Sequence, residues 1–139
     1  MTRTIARPLA QAVDSEAPRE ERACAAAELI RAAREYRWVG IYDVGDDVIA
    51  VIGYTGQTPP AHQRFAITAG LSGEAVRTRA TVVGTFPTTG SEAIVPILGA
   101  ESGIVIGTLD VESDRTEAFS SDDVAFLEDC AAVLRPLYD

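Results

Sequence analysis

Lysine is absent from this 139-residue chain: its twelve basic residues are all arginine, set against twenty-one acids for a formal charge of −9. The arginine-only usage reads as a compositional bias of the source rather than a functional signal. The acidic balance disfavours phosphate-rich partners, so no nucleic-acid partner is expected. No apolar run approaches the roughly 18 residues of a membrane span, which excludes a membrane partner of that kind. The N-terminus lacks the apolar stretch of a signal peptide, and a cytoplasmic location is the default expectation. Cysteine is scarce. Cys24 and Cys130 form no CxxC pair and have no metal spacing with the single His62. Both read as small buried apolar groups, whose separation depends on whether the first and last long helices pack side by side. No metal and no cofactor are expected.

What is present suits one domain. The chain is 47% hydrophobic and 24% charged, long enough to bury a core without disulfide or metal staples. Residues 1–18 read as an N-terminal extension or short helix, with Thr4 to Val13 helical and either broken or preceded by Pro8. Ser15 to Pro18 reads as a helix start, with Ser and Asp oxygens as caps and Pro18 in the first turn. Ala23, Ala26, Ala27, Ile30 and Ala33 then recur at three and four, predicting an amphipathic helix over 20–36. Trp38 to Val44 and Val48 to Tyr54 form a hairpin around Gly45-Asp46-Asp47. Thr55 to Gln63 is a loop because Pro59-Pro60 blocks both helix and ladder. Arg64 to Ile67 suits a short edge strand, Gly70 to Arg79 a small helix, Thr81 to Val83 a strand and Thr85 to Gly90 a loop. Glu92 to Leu98 and Gly103 to Glu112 form a second hairpin, with Gly107 inside a strand, where glycine usually marks close approach of another group. Ser120 and Asp123 make a capping-box pattern ahead of Val124, Leu127, Ala131, Leu134 and Tyr138. The order predicts an α+β fold: a two-layer domain over 19–139 with terminal helices on one face of an antiparallel sheet.

Alternation in the last strand carries the functional reading. Val105, Leu109 and Val111 point one way, while Ile106, Thr108, Asp110 and Glu112 point the other. Asp110 and Glu112 therefore share a face, and Glu92 begins the neighbouring strand beside them. Such convergence suits an amine ligand or a perturbed carboxyl. It is equally what the solvated face of a one-sided sheet looks like. Ca²⁺ or Mg²⁺ binding by the same acids is a minor alternative, since loop carbonyls are missing. Ser72 with His62 has no nucleophile elbow or orienting acid for acyl transfer. Gly70-x-x-Gly73 ahead of a helix is a weak anion-cradle signal.

Three segments, Ser91-Glu92-Ala93-Ile94-Val95-Pro96-Ile97, Ile106-Gly107-Thr108-Leu109-Asp110-Val111-Glu112-Ser113 and Phe119-Ser120-Ser121-Asp122-Asp123, resemble the second half of a GAF domain. Within that superfamily the chain is most similar to the free methionine-(R)-sulfoxide reductase group, over about residues 20–138. The resemblance implies a GAF-like sheet whose face opposite the helices carries a loop-covered pocket. Trp38 and Tyr42 match the aromatic motif of the first strand, Glu92 the Glu of Ser-Glu-Ile-Val, and Asp110 the first acid of Asp-x-Asp-Ser, with Glu112 in place of the second. The three family cysteines match His62, Ser72 and a shortened loop around Phe86, while Cys24 and Cys130 match none. Expected, then, is a stand-alone, homodimeric sensory or ligand-binding domain without catalytic residues. Its pocket is bounded by Trp38, Tyr42, Glu92, Asp110 and Glu112 and by the loops Thr55–Gln63 and Thr85–Gly90, with His62, Ser72 and Phe86 as loop contacts. Its ligand is a small molecule, an amine or amino-acid derivative. The alternatives are a reductase rearranged around Cys24 or Cys130, and an interaction module whose Ala-rich helix pairs with a partner or a second copy.

Overall fold

In a computed structural model describing residues 2–139, the two periodicities of the chain separate into a sheet and a helical layer. The elements are α1 (Thr2–Asp14), α2 (Arg19–Ala33), β1 (Trp38–Val44), β2 (Val48–Thr55), β3 (Arg64–Ala66), α3 (Gly70–Thr78), β4 (Val82–Phe86), β5 (Gly90–Leu98), β6 (Val105–Ser113) and α4 (Ser121–Val133), closed by a 3-10 turn at Arg135–Tyr138. The strands form one antiparallel sheet in the order β3-β2-β1-β6-β5-β4. The α+β arrangement expected from the element order is present.

Period-two alternation sends Val39 and Ile41, Ala93, Val95 and Ile97, and Leu109 and Val111 to one face. There they meet Leu9 and Val13 of α1, Ala23, Ala26, Ala27 and Ile30 of α2, and Phe126, Leu127, Cys130 and Ala131 of α4. At roughly 25 cal/mol per Å² of apolar surface, this interdigitated layer is the main source of stability. The Ala-rich face of α2, which motivated an interaction module, is spent here: Ala23, Ala26, Ala27 and Ile30 are fully buried within the chain.

Several boundaries differ from expectation. Pro8 lies inside α1 rather than breaking it; the loss of one backbone hydrogen bond is tolerated because Leu9 and Val13 are anchored in the core. Of the N-terminal segment, residue 1 lies outside the described residues. Pro18 is itself the N-cap of α2, with no side-chain cap. The Ser15 hydroxyl instead accepts from Ala17 N–H in the turn, and Arg22 bonds the Val13 and Ala17 carbonyls. The same helix stops at Ala33, where Arg34 leaves helical geometry and Glu35 adopts a positive φ of 54°. The capping box of α4 forms as its sequence indicates, Ser120 and Asp123 exchanging bonds.

Gly107 has a structural explanation. A Cβ there would overlap the hydroxyl and ring of Tyr138. Tyr138 uses that space to donate from its hydroxyl to the Tyr42 carbonyl at 2.7 Å. Arg19 secures it from outside, its guanidinium 5.3 Å from the Tyr138 ring, with Nε on the Leu137 carbonyl and a fork to Asp43. Gly107→Val should therefore destabilise by about 2–4 kcal/mol in urea unfolding, by overpacking and expulsion of Tyr138. Tyr138→Phe, which deletes only the hydrogen bond, should lose about 1 kcal/mol. Equal midpoints for Gly107→Val and wild type would show that Tyr138 is not seated there.

Candidate functional site

The opposite face of the sheet builds its site from cross-strand rows. Register places Glu92 beside Glu112 and Glu112 beside Trp38. The next row is Ile94, Asp110 and Gly40; the next is Pro96, Thr108 and Tyr42. Gly40 matters because it is bare: a Cβ there would strike the rings of both Trp38 and Tyr42. The two aromatics thus lean together over the strand beside Asp110. Trp38 stacks on Tyr54 at 6.0 Å, and Tyr42 meets Phe65 edge-on at 5.8 Å. A bulge between Ile41 and Tyr42 in the β1–β2 pairing falls at this wall, as bulges near sites often do.

The roof comes from two segments. Trp38 Nε1 donates to the Thr58 carbonyl at 3.0 Å and ties down the Pro59-Pro60 loop. That contact requires Gly56, whose φ is +144° and whose Cβ would collide with the indole. The second segment is the start of α3, where Ala69, Gly70, Leu71 and Ser72 reach the cavity. Floor and roof bound an open-sided cavity of about 480 Å³, within the ordinary range for small-molecule sites.

The structure brings Trp38, Tyr42, Glu92, Asp110 and Glu112 together around this cavity, with His62 and Ser72 on its rim and roof. Phe86 is not among them. The segment expected as a loop from Thr85 to Gly90 is mostly strand: β4 runs through Phe86, which pairs with Gly90 across a Pro87–Thr89 turn. Gly90 permits this with φ +115°, its missing Cβ leaving room for the Ser113 carbonyl. Phe86 is 42% exposed at the sheet edge, and the start of α3 takes the place assigned to that loop. Residue reasoning missed Phe65, Ile94 and Leu71 as lining groups. Alternation two residues on from Glu92 would have found Ile94; nothing local would have found Leu71.

Electrostatics separates the acids. Asp110 is 5% exposed and its Oδ1 has no hydrogen-bond partner among the described residues. Burial pushes its carboxyl well above the usual range; the Thr108 hydroxyl favours ionisation, Glu92 and Glu112 oppose it, and Ser72 favours it less. Burial, then the charge of Glu112, raises Glu92 to about 7, against a lowering by Arg37. Tyr42 is pushed up by burial and the same three acids, so it remains a neutral phenol. Arg37 holds the outer edge, donating to Glu112 at 3.1 Å, Asp114 at 2.9 Å and the Thr89 carbonyl at 2.6 Å. No group of three or more His, Cys, Asp or Glu side chains is arranged to hold a metal ion among the described residues. No helix there is long and apolar enough to cross a membrane. Cys24 packs against Gly53 on the helical side, and Cys130 is fully buried in the helical core. Neither cysteine lines the cavity.

Residues 21–134 match the model of the GAF domain family. None of the curated proteins matches this sequence. Among solved structures, the chain is similar to the free methionine-R-sulfoxide reductase of Neisseria meningitidis in complex with its substrate, at 24% identity over 99% of this chain and 87% of that one, TM-score 0.83. It is similar to the type II free methionine-R-sulfoxide reductase of Thermoplasma acidophilum at 28% identity over 87% and 95%, TM-score 0.75. A putative GAF sensor protein from Burkholderia vietnamiensis is 27% identical over 96% and 84%, TM-score 0.81.

The buried acids make stability pH-dependent. Glu92 titrates near 7 when folded and near 4.5 when exposed. Its favourable contribution is therefore complete below pH 4.5 and lost as pH rises through 7. Glu92→Gln should stabilise the protein at pH 8 by about 1–2 kcal/mol, discounted for partial exposure, and change little at pH 4. Denaturant midpoints at the two pH values check this; a gain at pH 4 and none at pH 8 would reverse the assignment.

Proposed function

This chain belongs to the GAF domain family, and from that premise we propose that it is a sensory, small-molecule-binding domain whose cavity holds an amine or amino-acid derivative without transforming it. One observation carries the reading: Asp110, nearly inaccessible and with its Oδ1 lacking a hydrogen-bond partner, lines a cavity beside Glu92 and Glu112. A buried polar group without a partner is costly, and a ligand donor arriving there removes that cost. An ammonium group supplies three donors and the opposite charge. The rings of Trp38 and Tyr42 lie over Gly40, the β1 neighbour of Asp110, and line the same cavity, which supports an attraction between aromatic rings and a cation there. The two free thiols fit a reducing compartment, which supports a cytoplasmic setting.

Ligand binding without chemistry is favoured over sulfoxide reduction by where sulfur lies. Reduction of a sulfoxide needs a thiolate to attack sulfur and a second thiol to resolve the product. The thiol of Cys130 is pushed up to about 12 by burial, then by Asp129, and it sits in the core rather than in the cavity. Cys24 lies across the sheet from the same cavity. The similar reductase scaffolds support the shape of the site, not its reaction.

Primary amines screened by thermal shift at pH 8 should raise Tm, by about 8–10 °C for one present at a hundred times its Kd. The shift should shrink at pH 6, where Glu92 holds its proton and no longer attracts a cation. Silence across a broad amine library at pH 8 would defeat the reading. In a coupled assay with free methionine sulfoxide we expect no turnover from wild type or from the Cys24→Ala, Cys130→Ala double variant. Turnover that the double variant abolishes would establish a reductase instead.

A further inference from the structure

The cavity's charge inventory narrows the ligand beyond the reading above, on which this inference rests. Its lining carries three carboxylates, Glu92, Asp110 and Glu112, and no arginine. The nearest guanidinium, Arg37, is outside the lining and already engaged by Glu112, Asp114 and the Thr89 carbonyl. The lining's imidazole, His62, is exposed. That leaves the start of α3 as the obvious place for a ligand carboxylate. Gly73 makes the first N–H bond into that helix, to the Ala69 carbonyl, and no backbone bond is made by the Gly70, Leu71 and Ser72 amides. An acid of the protein already shares the cavity with this positive end, since Asp110 and Ser72 both line it. A carboxylate entering here would meet the acids Glu92 and Glu112 with no countercharge inside the cavity.

The opposite charge meets the opposite situation. An organic cation would give the unpartnered Asp110 Oδ1 a donor and bring countercharge to the Glu92–Glu112 cross-strand pair. Its apolar body would lie against Phe65, Leu71 and Ile94. We infer that the cavity selects carboxylate-free organic cations, primary amines or guanidinium compounds on an apolar body, and rejects the α-amino acids from which such amines derive.

Matched pairs test this on the intact chain by isothermal titration at pH 8: agmatine against arginine, phenethylamine against phenylalanine, and 3-(methylsulfinyl)propylamine against methionine sulfoxide. The corresponding amino-acid amide, its affinity corrected to the ammonium form because its α-amine is mostly neutral at pH 8, makes a third arm, keeping the bulk at the α-carbon and removing the negative charge. For at least one pair the amine should bind tenfold or more tighter than its amino acid, with the amide close to the amine. Glu92→Gln should lower amine affinity and narrow the gap within the pair. An amino acid that binds as tightly as its amine overturns the inference while leaving the cavity a ligand site. So does an amide refused as strongly as the acid, because bulk rather than charge would then be excluded. If no member of any pair binds, the reading of the cavity as an amine site falls, and this inference with it.

Discussion

The central strands β1, β6 and β5 are covered on both faces, by helices on one side and by a roofed cavity on the other. In an antiparallel sheet with one solvated face, polar residues at alternate positions keep their water. Here that face is roofed by the Pro59-Pro60 loop and the start of α3, so Asp110 loses its water and Glu92 part of its own. The cost of removing Asp110 and Glu92 from water is offset in part by protonation, which is why burial is the leading cause of both shifts. The pH dependence of stability follows from this double burial, and the proposed binding preference rests on it. A sheet open on that side would carry the same residues as a solvated face.

Two glycines let the faces work without interfering. Gly40 clears the floor so that Trp38 and Tyr42 can lean beside Asp110. Gly107, three register positions along on β6, clears the other face so that Tyr138 can reach through to the Tyr42 carbonyl. Tyr42 is thereby held from behind by the last turn of the chain while its ring forms the front wall. Arg19 closes the arrangement by joining the start of α2, the β1 carboxylate of Asp43 and the Tyr138 ring. The start of α2 and the last turn thus meet behind one wall of the cavity.

The homologous scaffolds place this geometry within a family containing both reductases and a putative sensor. Shape does not choose between these roles; the position of reactive groups does. In this chain both thiols lie with the helices, while Glu92, Asp110 and Glu112 lie at the cavity. Thiols and cavity acids therefore occupy opposite sides of the sheet.

Local pattern was enough to read the α+β class, the strand hairpins, the α4 capping box and the shared face of Asp110 and Glu112. Each rests on periodicity or on bonds between residues close in sequence, which short-range stereochemistry dictates. The pairing of Glu92 with Glu112, the reason for Gly107, and the choice between solvated face and cavity were decided by tertiary structure. So was the misplacement of Phe86: a positive-φ glycine at Gly90 and the neighbouring Ser113 carbonyl turned an expected lid into an edge strand. Leu71 entered the site because α3 folds across the sheet, which no spacing along the chain encodes. Charge is written in the sequence, but whether a charge keeps its water depends on what the rest of the chain lays over it.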